Sequence, residues 1–250
     1  MSGSYGGALN LTGVTIALPG SDTGGLYPSI DAKGSIKHEP ADGAVHALVG
    51  SGVLVKELVG GQVIDIANIN GAKSEILVTE SRVAVAVKNW NNGGRSWGVG
   101  LGATMALIEN TVQKRREARA RGDSMLVGHV RYNWLAQVGF QRSRRAHNDE
   151  LILACVDGYR DDRLLVLVIG LPKDLDGAQL ADGVAALAAQ YWLSRAESAL
   201  SSEQTQELTA LCDRTAPPLA FAPGQQGAIR NIPAHQNVHE STAAGYGGRG

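Results

Sequence analysis

Short runs of β-branched and aliphatic residues dominate the middle of this 250-residue chain, and they restrict it to folds built on strands. The clearest case is the stretch 77–87, LVTESRVAVAV, in which two such runs meet at a short polar step, residues 79–82. Side chains that branch at Cβ, or that alternate between polar and apolar, favour strands. The chain is therefore expected to form an antiparallel sheet around this step.

The first group of strands precedes a glycine-rich bend at residues 91–94. Val63–Ile69, Ser74–Thr79 and Arg82–Lys88 are predicted to form a three-stranded antiparallel meander. Asn70-Gly71 predicts a tight hairpin between the first two, because both central residues of a type I′ turn need positive φ. The preceding run, Val53–Val59, fits a strand and, less well, a short helix.

A second group of strands follows residue 125. The predicted strands are 126–132, 134–140, 151–156 and 164–169, with a hairpin at Asp157-Gly158. The run Leu151–Val156 is apolar on both faces, which is typical of a central strand. Burying the apolar faces of both groups requires a sandwich or a strongly bent sheet, so the predicted class is α+β.

Three helices are expected beside the strands. Leu101, Met105, Ile108 and Val112 recur at helical spacing, which predicts a helix from about Ala103 to Arg121 between the two groups of strands. A C-terminal helix is expected after Asp174 or Asp176, either of which can cap it. Its inward stripe is Leu180, Val184, Leu187 and Tyr191. Ser201 and Gln204 have capping-box spacing and predict a shorter helix that ends near Cys212.

Composition divides the chain into four parts. Residues 1–42 form a predicted flexible arm, rich in Gly, Ser, Pro and Asp, in which Leu9–Leu18 can add one strand to the sheet. Residues 43–200 form the main domain and 201–214 the short helix. Residues 215–250, where Pro, Gly, Gln and His are frequent, are predicted to be a disordered tail.

The order of these elements resembles the pleckstrin-homology-like (PH-like) superfamily, including GRAM and bacterial PH-like domains. The segment Leu77–Val83 is similar to the Thr-x-x-Arg strand step of GRAM-type sequences, and Leu126–Leu135 is similar to a strand of uncharacterised bacterial proteins of this kind. The resemblance covers residues 45–195 and implies a bent antiparallel sandwich or barrel with a C-terminal amphipathic helix. It also implies binding of lipid head groups, peptides or proteins rather than catalysis. The basic helix inserted between the two strand groups departs from the family pattern.

Positive charge is concentrated between residues 114 and 145, which carry nine basic and two acidic side chains in a chain of net charge −1. One interpretation is a solvated helix end, where cations suit the negative end of the helix dipole. The other is a contact with an anionic membrane surface or an acidic protein. Nucleic acid is disfavoured because no aromatic residues alternate with the cations. The candidate residues are Lys114, Arg115, Arg116, Arg119, Arg121, Arg142, Arg144 and Arg145.

Templates for nucleotide-cofactor and metal binding are missing from the sequence, so neither a cofactor nor a metal is expected. It contains no Gly-x-Gly-x-x-Gly after a predicted strand and no His-Glu-x-x-His. The spacing Gly-x-Ser-x-Gly occurs once, at Gly94-Arg95-Ser96-Trp97-Gly98, beside the glycine-rich bend. His235 and His239 have metal-ligand spacing but lie in the predicted tail. A thiol hydrolase using Cys155 and His147 is the alternative, and it requires Cys155 to be accessible. The chain has no signal-peptide pattern and no apolar run long enough for a membrane span, which predicts a soluble, cytoplasmic protein.

Overall fold

A computed structural model describes residues 13–21, 27–59, 62–88, 125–142, 149–157, 160–195, 200–220 and 227–233. Within these residues, ten strands form one antiparallel sheet beside two α-helices, which confirms the predicted α+β class. The strands are β1 (Gly13–Ala17), β2 (Val45–Val59), β3 (Gln62–Thr79), β4 (Arg82–Lys88), β5 (Met125–Arg131), β6 (Leu135–Arg142), β7 (Asp149–Asp157), β8 (Arg160–Gly170), β9 (Leu219–Ala220) and β10 (Gly227–Asn231). The helices are α1 (Gly177–Leu193) and α2 (Ser202–Cys212), and Pro40–Asp42 form a short 3-10 turn.

Strand β2 joins the first predicted group of strands to β8 of the second, but the second group does not stay together, because β5 pairs with β4 of the first. The order is β1-β5-β4-β3-β2-β8-β7-β6-β10-β9, and β2 pairs with β3 along its length and with β8 through Val53–Val59. Side chains of β4 and β7, which are four positions apart in this order, belong to the same hydrophobic core. The first and last described strands of the sheet, β1 and β9, do not pair with each other.

The predicted hairpin at Asn70-Gly71 is wrong. Both residues lie inside the continuous strand β3, and Asn70 pairs with Gly52 of β2. Strand β2 ends at Val59 and β3 begins at Gln62, so the chain reverses across residues 60–61 instead. The partner strand β2 is long enough to pair with both runs, and a register shift between Gly50 and Gly52 keeps them in one ladder. Long-range pairing has overridden a local turn signal.

Helix α1 packs against the core, as the sequence predicted, but its most buried face is shifted from the predicted stripe. Asp176 is the N-cap, and its carboxylate accepts hydrogen bonds from the backbone N–H groups of Ala178 and Gln179 at 2.9 and 3.1 Å. Val184 is fully buried, whereas Leu180, Leu187 and Tyr191 of the predicted stripe are only partly buried. The buried face is instead mostly alanine: Ala181, Ala185, Ala186, Ala188 and Ala189, with Trp192. Small side chains let the helix approach the sheet closely. A prediction based on the spacing of large apolar residues does not identify such an alanine-rich face.

Helix α2 matches its prediction. Ser201 is the N-cap, and its hydroxyl oxygen accepts a hydrogen bond from the Gln204 N–H at 3.1 Å. The Gln204 side chain in turn accepts from the Ser201 N–H at 2.9 Å. Leu208 and Leu211 anchor the helix to the core. Neither α1 nor α2 is both long and apolar enough to cross a membrane.

Both ends of the chain contribute more structure than composition indicated. On the N-terminal side, β1 pairs with β5, and Ile30 and Ile36 form a β-bridge and are buried in a second, smaller core. The segment 27–42 is therefore not a simple loop where it is described. On the C-terminal side, β10 pairs with β6 and Ile232 is fully buried, which corrects the prediction of disorder for residues 219–220 and 227–232. Strand β10 forms backbone hydrogen bonds with β6, and this pairing outweighs the weak intrinsic strand propensity of its residues.

Candidate functional site

The polar step at residues 79–82 is the tight connection between β3 and β4. The Thr79 hydroxyl oxygen accepts hydrogen bonds from the backbone N–H groups of Ser81 and Arg82, at 3.2 and 3.0 Å. A threonine side chain that binds the backbone two and three residues ahead favours a turn over a continuing strand. The Tyr132 hydroxyl donates to the Thr79 carbonyl at 2.7 Å and fixes this turn to the end of β5. The turn thereby directs the Arg82 side chain into the protein.

Arg82 is the largest fully buried side chain among the described residues. Its Nε and Nη2 donate to the two carboxylate oxygens of Asp42 at 2.9 and 2.8 Å, which is a bidentate ion pair. Nη2 also donates to the Lys37 carbonyl at 3.2 Å. Nη1 contacts Glu39 Oε1 and lies 3.3 Å from His129 Nδ1. Each of the three guanidinium nitrogens of Arg82 thus contacts a carboxylate oxygen of the protein.

Asp42 is positioned by the short 3-10 turn that precedes β2. Pro40 presets the backbone at the start of this turn, and the Asp42 N–H donates to the Glu39 carbonyl at 3.0 Å. The Asp42 carboxylate accepts from the Glu39 N–H at 2.7 Å and lies 3.1 Å from the Ser81 hydroxyl. A buried carboxylate with this many donors remains ionised.

The outer part of the cluster is formed by Glu39 and Arg131. Glu39 Oε2 accepts a hydrogen bond from Arg131 Nη2 at 2.7 Å, so one carboxylate contacts both arginines. The formal charges of the two guanidinium groups and of the Asp42 and Glu39 carboxylates cancel. We call this group of four residues the arginine–carboxylate cluster.

Two pKa values are displaced by this arrangement. Burial raises the pKa of Asp42, but hydrogen bonds and the positive charge of Arg82 outweigh it and hold the pKa below its ordinary value. Burial, together with the negative charge of Asp42, raises the pKa of Tyr132 well above its usual range. The surroundings of the cluster therefore stabilise the ionised form of Asp42 and the protonated form of Tyr132.

Acidification is expected to destabilise the protein through Asp42. Because the pKa of this carboxyl is lowered on folding, its contribution to stability is present above its ordinary value of 3.8 and is lost as pH falls through the folded-state pKa. The free energy of unfolding, measured with urea between pH 7 and the acid limit of folding, should fall more steeply in the wild type than in Asp42→Asn. Asp174→Asn, which removes an exposed carboxylate, is the control and should keep the wild-type slope. Equal slopes for the wild type and Asp42→Asn would contradict the assignment.

An open cleft of about 620 Å³ lies among residues of β2, β3 and β4. Its lining residues are Ala47, Leu48, Val49, Lys73, Ser74, Glu75 and Lys88. Glu75 and Lys88 are already engaged, because Glu75 Oε1 accepts from the Ile36 N–H and Lys88 Nζ donates to the Lys33 carbonyl, both at 3.4 Å. These long contacts tie the 27–42 segment to the rim of the cleft.

Of the predicted basic candidates, only Arg142 lies among the described residues. Its side chain, 59% exposed at the end of β6, donates through Nε to Asp149 Oδ1 at 3.1 Å. The other candidates fall outside the described residues: Lys114, Arg115, Arg116, Arg119, Arg121, Arg144 and Arg145. Their clustering stays a prediction.

The residues of the alternative hydrolase are not brought together within the described structure. Cys155 is fully buried in β7, and His147 lies outside the described residues, as do His235 and His239. Burial, reinforced by the charge of Asp213, raises the pKa of the second thiol, Cys212. Within the described ranges no group of three potential metal ligands occurs. Cys155 is thus inaccessible in the described structure, and its pairing with His147 stays a prediction.

Sequence reasoning missed the arginine–carboxylate cluster, although Arg82 lay inside the motif that carried the family resemblance. Arginine in a polar step between strands ordinarily indicates a solvated turn. The available signal was Glu39-Pro40-Ala41-Asp42, in which proline follows an acidic residue and an aspartate comes two residues later. That pattern predicts a capped turn. It does not predict that Asp42 pairs with Arg82, which lies 40 residues later in the chain.

No protein-family model, no curated protein and no solved structure matches this chain.

Proposed function

We propose that the protein is a non-enzymatic binding or scaffolding module with a PH-like fold. The observation that carries the proposal is the way its buried polar groups are paired: Arg82 Nε and Nη2 are committed to the two carboxylate oxygens of Asp42 inside the protein. A catalytic group must reach a substrate and change its bonding during the reaction. The described interior instead has the character of a rigid support, which is what a binding module needs beneath its contact surface.

The contact surface of this module is the basic segment Lys114–Arg121, extended by Arg142, Arg144 and Arg145. Lys88 at the end of β4 pairs with Met125 at the start of β5. Residues 89–124, which include the basic segment, therefore connect two neighbouring strand ends of the sheet. The ligand of this surface is an anionic membrane or an acidic protein, because both complement concentrated positive charge.

The proposal is tested by flotation with anionic and neutral vesicles and by pull-down from lysate at low salt. Binding to anionic vesicles should weaken as salt rises, since exposed charges are screened within about 10 Å at 0.1 M. Each cation near an anionic membrane contributes about 1 kcal/mol, so Arg115→Glu with Arg116→Glu should abolish flotation. Lys33→Glu with Lys173→Glu, which makes the same charge change at two exposed positions elsewhere, should leave it intact.

The two assays separate the two kinds of ligand. Flotation that depends on Arg115 and Arg116 supports a membrane surface, whereas recovery of a protein in a salt-sensitive pull-down supports an acidic partner. The proposal fails if neither assay detects binding, or if the control variant loses binding to the same extent.

A further inference from the structure

Arg82 and Arg131 are directly opposite each other in the β4–β5 register. Like charges at directly opposed positions of an antiparallel pair destabilise a sheet unless an anion compensates them. Here the compensating anion is the Glu39 carboxylate, whose Oε1 contacts Arg82 Nη1 and whose Oε2 lies 2.7 Å from Arg131 Nη2. The two strands thus form a two-arginine clamp on one oxyanion.

The clamp has one more donor than Glu39 can satisfy. Arg131 Nε is buried and has no hydrogen-bond partner. Nε and Nη2 lie on the same edge of a guanidinium group, and on Arg82 that edge holds both oxygens of Asp42. On Arg131, only Nη2 of that edge is bonded, to Glu39 Oε2. The other Glu39 oxygen, Oε1, contacts Arg82 and cannot also accept from Arg131 Nε. An oxyanion with a third oxygen can satisfy the Nε–H as well.

The two halves of the cluster differ in their access to solvent. The side chains of Arg82 and Asp42 are 0% and 1% exposed, whereas those of Arg131 and Glu39 are 18% and 27% exposed. The Glu39 backbone is held by its N–H bond to the Asp42 carboxylate. Its side chain can therefore rotate away toward solvent while the 3-10 turn stays in place.

We propose that the clamp of Arg82 and Arg131 is a binding site for a phosphoryl group, with the Glu39 carboxylate acting as an internal competitor. A phosphate monoester offers three terminal oxygens, enough for Arg82 Nη1 and for both donors on the edge of Arg131. It also replaces one negative charge by about two. The site rests on β4 and β5 and is independent of the basic segment in the proposed function.

The test measures the midpoint of thermal unfolding while inorganic phosphate is titrated, with sodium chloride at equal ionic strength as the reference. The wild type should be stabilised, since a ligand that binds the folded state raises its apparent stability. Glu39→Gln should bind phosphate about tenfold more tightly if Glu39 closes the site about 90% of the time. Arg131→Gln should lose the phosphate effect, and Arg214→Gln, a change at an exposed arginine outside both anion-binding surfaces, should keep it.

Further arms identify the source of the phosphoryl group. A shift with inorganic phosphate or glycerol phosphate supports a soluble ligand, and a shift only with dispersed short-chain phosphatidic acid supports a lipid head group. Absence of any shift beyond chloride in both the wild type and Glu39→Gln overturns the proposal. It is also overturned if the shift survives Arg131→Gln, or if it disappears in Arg115→Glu with Arg116→Glu, which would place the phosphate on the basic segment.

Discussion

Arg82→Met is expected to lower the free energy of unfolding by about 3–5 kcal/mol, because it leaves the buried Asp42 carboxylate without its counter-ion. Asp42 is 1% exposed and loses two short hydrogen bonds from the guanidinium group in this variant. Methionine approximates the length of the arginine stem, so the cost comes from the charge rather than from lost volume. Urea unfolding at pH 7 measures it.

Two further variants show whether burial and pairing are responsible. Arg214→Met removes an exposed arginine beyond α2, and should change the free energy of unfolding by no more than about 1 kcal/mol. Arg82→Met combined with Asp42→Asn removes the unpaired charge and should be less destabilised than the sum of the two single variants. A cost below about 1 kcal/mol for Arg82→Met alone would contradict a structural role for the ion pair.

Val184→Asp should be similarly destabilising, at several kcal/mol, because it places a carboxylate in apolar surroundings without a partner. Val184 is fully buried on α1 and belongs to the core that α1 shares with the sheet. The expected result is a large drop in the midpoint of urea unfolding, with loss of helical circular dichroism at a lower urea concentration. Gln179→Asp puts the same charge on an exposed position of the same helix and should have little effect. Unchanged stability of Val184→Asp would mean that α1 is not part of the core.

Local signals in the sequence predicted those elements whose stabilising contacts are local. The capping box of Ser201 and Gln204 and the cap at Asp176 involve neighbours within three residues, so sequence spacing suffices. The β4 strand was recognisable because its side chains are almost all apolar and buried.

Elements that depend on distant partners could not be predicted in this way. Asn70-Gly71 has the chemistry of a turn, and only the length of β2 makes it part of a strand. The burial of Arg82 requires Asp42 and Glu39, which lie far away in sequence and resemble surface residues. An ion pair inside a protein has no local signature, because each partner alone is typical of the surface.

The pairing of β2 with two neighbours also bears on how the chain folds. Val53 of β2 pairs with Ile169 of β8, a contact between residues more than a hundred positions apart, whereas β3 follows β2 almost immediately. Closing a long loop loses chain entropy before the contacts between its ends form and stabilise the structure. Topologies rich in such long-range pairings therefore fold slowly. The meanders β2–β3–β4 and β6–β7–β8 can assemble separately, each from short-range hairpins. Their union along β2 is then the late step that commits the chain to its native topology.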